Sequence, residues 1–180
     1  MPIRPPTLGI CGIIMILFGT MALMNLITAG MGQGIASQPA VSTNPVTVAM
    51  QDSVGLKMFH KLLIVPIFLT GVLGVVAGIG VLKGRNGARK AGILWAILYL
   101  VIGLAENGAT IHYLRQIVAT MPMPPTVKPD MVEVARSQIM ISSFINAGFT
   151  TVFFLALAVA MIVLLTRPAV VKFCTAKPFD

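Results

Sequence analysis

The sequence predicts an all-α integral membrane protein: a bundle of four transmembrane helices, both termini cytoplasmic, with helical extensions on the outer side. Three observations lead there. The 180 residues are 57% hydrophobic and only 10% charged, whereas a soluble domain carries roughly a quarter charged residues to clothe its surface. The apolar residues are gathered into long runs. The cations lie between and beyond those runs, and Lys83, Arg85, Arg89 and Lys90 fill the short connection between the second run and the third. Such a basic turn is what the positive-inside rule expects of a cytoplasmic connection.

The chain reads as a single membrane domain over residues 1–180, with spans at about 8–29, 62–82, 91–111 and 139–165. The first run, 8–29, carries no charge and exceeds the roughly 20 residues that cross a bilayer core. A secretory signal peptide would have an apolar core of only about 7–15 residues, so the run is read as a retained span with Arg4 at its inner end. A loop rich in Gly, Ser, Thr and Asn follows. Asn44-Pro45 then looks like a helix start, because proline's fixed φ and missing N–H suit the first helical position. Val46 to Lys61 is therefore expected to be helical and to run into the second span, where Pro66 predicts a kink.

In the third span Trp95 is shallow enough for an interfacial anchor. Its outer end is His112-Tyr113-Leu114-Arg115. A proline-rich connection leads to Lys128-Pro129-Asp130, a second proline-led start with an acid in the first turn. Met131 to Gln138 should extend the fourth span outwards. The apolar Val54 and Met58 on one extension and Val132 and Val134 on the other need cover, so the two extensions are expected to pack together as an outer cap. Arg167-Pro168 closes the last span, and residues 167–180 are read as a short basic cytoplasmic tail. The inner side then holds Arg4, Lys83, Arg85, Arg89, Lys90, Arg167, Lys172 and Lys177. The outer side holds fewer cations, offset by Asp52, Asp130 and Glu133.

Three stretches carry a likeness. Gly78-Ile79-Gly80-Val81-Leu82-Lys83, Gly87-Ala88-Arg89-Lys90-Ala91 and Leu164-Leu165-Thr166-Arg167-Pro168-Ala169-Val170-Val171-Lys172 resemble a widespread group of uncharacterised bacterial four-helix membrane proteins. Those proteins share a proline-rich start, a glycine-bearing second helix, a basic turn and a final Arg-Pro. The resemblance implies a multi-pass protein of the bacterial cytoplasmic (inner) membrane, and it supplies no catalytic residue.

Net charge is +8, but no basic run is interleaved with aromatics, so nucleic acid is not an expected partner. Membrane lipids, including anionic headgroups near the cations, are. Cys11 and Cys174 fall near the inner side, where thiols stay reduced. No phosphate-binding loop, nucleophile elbow, HExxH or pair of catalytic acids is present, and an enzyme is not expected.

Glu106 is the single acid inside any span. Intramembrane ionisable groups are costly and turn towards protein or water. Gly92, Ala96, Tyr99, Gly103, Glu106 and Thr110 recur at helical spacing and share one small, polar face. Asn25 on the first span and Asn146 and Ser142 on the fourth lie in the same outer third as Glu106. The four make a candidate polar intramembrane site. It could serve a proton, a cation or a polar headgroup; the plainer role, a hydrogen-bonded tie within the bundle, is preferred, with Asn25 or Asn146 as partner.

Gly71, Gly74 and Gly78 line one face of the second span, and with Gly92 and Gly103 on the third they allow close helix approach. Packing within the chain is the plainer use; a second copy or another membrane subunit is the alternative. His60 and His112 are the two histidines, both near the outer surface. Helices carrying such a pair can hold haem or a metal, but the neighbouring Lys57 and Lys61 weigh against it and no cofactor is expected. The leading function is a non-enzymatic scaffold or accessory subunit of a membrane assembly. The alternatives are a small transporter, channel or ligand-binding protein using Glu106 and, more remotely, a haem subunit.

Overall fold

The computed structural model describes residues 5–35, 53–120 and 129–176. Among them are five α-helices: α1 Pro6–Ile35, α2 Val54–Leu82, α3 Asn86–Thr120, α4 Pro129–Thr166 and α5 Pro168–Thr175. The first four are long and apolar enough to cross a membrane. Their outward surfaces are as apolar as their contacts, with Phe149 76% and Leu62 72% exposed. Helices hydrophobic all round need lipid as solvent, and the protein is accordingly an all-helical, multi-pass membrane protein.

The order of packing follows the chain. α1 lies along α2, α2 along α3 and α3 along α4, whereas α1 meets α4 only briefly and α2 scarcely meets α4. Glycine accounts for the closeness of the first pair. A Cβ on Gly19 would stand 2.8 Å from the Gly71 carbonyl oxygen, and one on Gly78 would stand 2.8 Å from the Gly12 carbonyl oxygen. The two backbones touch where only hydrogen fits, which is how small residues associate helices in lipid. The glycine stripe Gly71-Gly74-Gly78 is thus used within the chain.

At the basic-turn end the bundle is closed. Leu8, Cys11 and Met15 from α1, Val81 from α2, Trp95 from α3 and Met161 and Leu165 from α4 form one buried cluster. α5 lies under it and contributes Val170 and Cys174. The turn itself needs Gly84, whose φ of +70° is left-handed and costs other residues roughly 1–2 kcal/mol; the Phe173 ring of α5 occupies the place of its missing side chain. Arg89 ties the end together. Its Nε donates to Asn86 Oδ1 at 3.1 Å, and a guanidinium nitrogen donates to the Leu165 carbonyl at 3.2 Å. That carbonyl belongs to the last turn of α4, where orphan acceptors and the negative end of the helix dipole favour a cation.

Several expectations change here. Trp95 is 1% exposed, a core residue and not an interfacial anchor, because Gly74 leaves room for its indole on α2. The tail expected after Arg167 is helical through Thr175: its apolar residues fall on one face and dock on the bundle. α2 begins at Val54 with Ser53 as its N-cap and runs on through Pro66; the expected stretch from Val46 to Asp52 lies outside the described residues. α4 does start at Pro129, but the outer cap is not built as expected. Val54, Met58 and Val134 are exposed, and α2 scarcely touches α4. α3 runs on to Thr120 and packs on the start of α2, with Tyr113 seated over Gly55.

Candidate functional site

Beyond the closed core the helices part. α1, α2 and α3 enclose a cavity of about 440 Å³, within the 300–1,000 Å³ typical of small-molecule sites. Along the bilayer normal its lining changes character. Phe18, Thr70, Tyr99 and Phe154 line its deep part. Each lies twelve or thirteen residues from the basic end of its helix, a rise of roughly 18–20 Å, so together they form a floor near mid-bilayer. Asn25, His60 and Glu106 line the cavity further from that end, at roughly 28–33 Å. Ile64, Ile67 and Ile102 form apolar walls between the two levels.

The floor is a packed aromatic layer. Trp95 stacks on Tyr99 at 5.2 Å, while Phe18 and Phe154 meet Tyr99 edge-on at 5.8 and 5.3 Å. Such arrangements exploit the positive edge and negative face of the rings. Gly103 makes the layer possible: a Cβ there would stand 2.6 Å from the Phe154 ring, so glycine admits Phe154 to the bundle. α4 gives no other described wall residue.

Glu106 is half-buried and turned into this space, with Asn25 of α1 and His60 of α2 lining it from the neighbouring helices. His60 stands close enough to act on the carboxyl electrostatically, and so does Glu106 on the Tyr99 hydroxyl. Neither Lys nor Arg is among the described wall residues.

Of the four residues read as a polar site, Glu106 and Asn25 come together. Asn146 and Ser142 do not: both are exposed on α4, and the Ser142 hydroxyl donates to its own helix at the Ile139 carbonyl, 3.0 Å away. A shared outer third places them with Glu106, but the helix is rotated so that Thr151 faces α3 instead. Asn107 donates to the Thr151 hydroxyl at 3.3 Å, a polar tie between α3 and α4 that depth alone did not indicate. His60 and His112 are not brought to one place. His60 lines the cavity, whereas His112 bonds Gln116 at 3.2 Å on the exposed surface of α3. No cluster of three or more metal-ligating side chains occurs among the described residues. Gly92 and Gly103 seat side chains of α4, Leu165 and Phe154. The deep aromatic partners Phe18 and Phe154 were missed, since only the register between helices shows that they converge.

Comparison with protein-family models, curated proteins and solved structures found no match.

Proposed function

We propose that the protein is a non-enzymatic, ligand-binding multi-pass protein of the bacterial cytoplasmic membrane, with its termini and basic turn inside. It takes an amphiphilic molecule from the outer leaflet into the cavity. The cavity's graded lining carries this reading: an aromatic floor at mid-bilayer, apolar walls and a polar mouth match a molecule with an apolar chain and a polar head. α4 contributes a single described wall residue, Phe154, and the side between α1 and α4 is taken as the route from lipid. Apolar contact supplies affinity, and the few polar groups fix the orientation.

Trp95 is the single tryptophan and stacks on Tyr99 of the cavity floor, so it reports on occupancy. A bromine-labelled long-chain alcohol, titrated into protein in neutral-lipid nanodiscs, should quench Trp95 saturably. Filling the space with Ala22→Phe or Ile67→Phe should remove the saturable part. Quenching that is linear in wild-type protein, or unchanged by both substitutions, would overturn the reading.

A second role, as an accessory subunit, draws support from α4. Asn146, Ser142 and Phe149 leave the bundle on its exposed side, and amides in lipid gain from hydrogen bonds to a neighbouring helix. Cross-linking from Asn146→Cys to another chain, lost on moving the cysteine to the buried Ala158, tests it.

A further inference from the structure

We infer that the ligand of this cavity is a single-chain amphiphile with a positively charged amine head, and that Glu106 is its counter-ion. The inference rests on the reading of the cavity as a binding site and adds the chemistry of the head.

Charge complementarity is the first ground. Glu106 is the one carboxylate among the described wall residues, and His60 is the single basic side chain among them. A carboxylate in a low-dielectric site is much more favourable beside a cation than alone. The same wall disfavours other heads: a carboxylate or phosphate would face Glu106 with no lysine or arginine among the described wall residues to offset the repulsion.

The second ground is geometry. Glu106 and Tyr99 are two helical turns apart on one face of α3, roughly 10 Å along the axis. A head at Glu106 thus sends its chain down between Ile64, Ile67 and Ile102 to the rings of Phe18, Tyr99 and Phe154. A volume near 440 Å³ suits one alkyl chain and not the paired chains of a bilayer phospholipid.

Bromine-labelled dodecylamine, dodecanol and dodecanoate, matched in chain, separate head chemistry from apolar fit. Each is titrated against Trp95 emission in nanodiscs of phosphatidylcholine, with Ala22→Phe as the background for lipid-dissolved quencher. The amine should bind about tenfold tighter than the alcohol, the effect of a modest close charge pair, and dodecanoate weakest. Glu106→Gln should abolish the amine's preference over the alcohol, and Glu106→Asp should keep part of that preference. An amine preference that survives Glu106→Gln, or none in wild type, would overturn the inference while alcohol binding upheld the cavity. No saturable binding of any of the three would overturn the cavity reading itself. Replacing phosphatidylcholine with phosphatidylethanolamine should leave the amine's affinity unchanged; competition by that lipid would make a membrane headgroup the ligand and overturn the single-chain assignment.

Discussion

The glycines of this protein divide by what stands opposite them. Gly78 faces the Gly12 carbonyl at a distance where a Cβ has no room, and the obstacle is backbone that cannot rotate away. Gly108 and Gly148 meet nothing within 4 Å. Gly78→Ala should therefore push α1 from α2 and destabilise by about 1–3 kcal/mol, as overpacking does, whereas Gly108→Ala should be neutral or mildly stabilising. Thermal unfolding of the purified variants in a neutral detergent checks the contrast. Glu106 makes the second prediction at this scale. Its carboxyl faces polar groups of other helices, so Glu106→Gln should fold normally. Glu106→Leu should cost more, about 1–3 kcal/mol, if a polar group at the cavity is left unpaired; equal stability of the two would show that the carboxyl contributes nothing to the fold.

α5 is eight residues long, too short to be stable alone in water. It is helical because Val170 and Cys174 bury against the bundle and Phe173 fills the space above Gly84. Burial pushes the Cys174 thiol above its ordinary range, and nearby Arg89 pulls it back by less. The thiolate that reacts with maleimide is consequently scarce near neutral pH and grows as pH rises past the usual thiol value. Labelling of Cys174 should be slower than that of an exposed thiol, and Phe173→Ala should speed it by loosening the helix. Rapid labelling of wild type at neutral pH would show that α5 is undocked. Arg89 is part of the same closure through the Leu165 carbonyl, so Arg89→Leu should also expose Cys174.

For the whole molecule the testable consequence is its orientation. The basic turn and α5 lie at one end, and the cavity mouth is towards the other. With the positive-inside rule, reporter fusions between Gly84 and Arg89 or after Thr166 should behave as cytoplasmic. Fusions at Ser42 or Thr126 should behave as external. The opposite pattern would turn the cavity mouth to the cytoplasm and change which leaflet feeds it.

The sequence alone determined that this chain lives in lipid and how many times it can cross. Run length and charge placement are local properties, and a bilayer imposes them one segment at a time. It also identified Glu106 as the acid that lipid cannot leave alone, because the cost of a charge in hydrocarbon does not depend on its neighbours' identity. What it could not decide was rotation. Helices apolar all round have no polar face to announce which side meets a neighbour, so Asn146 and Asn25 looked equivalent in depth while only Asn25 reaches the cavity. Trp95 likewise read as an anchor by depth, although Gly74 on another helix makes it core. The aromatic floor and the docking of α5 depend on glycines of one helix receiving side chains of the next. Those fits are pairwise and set by register, and only the tertiary structure decided them.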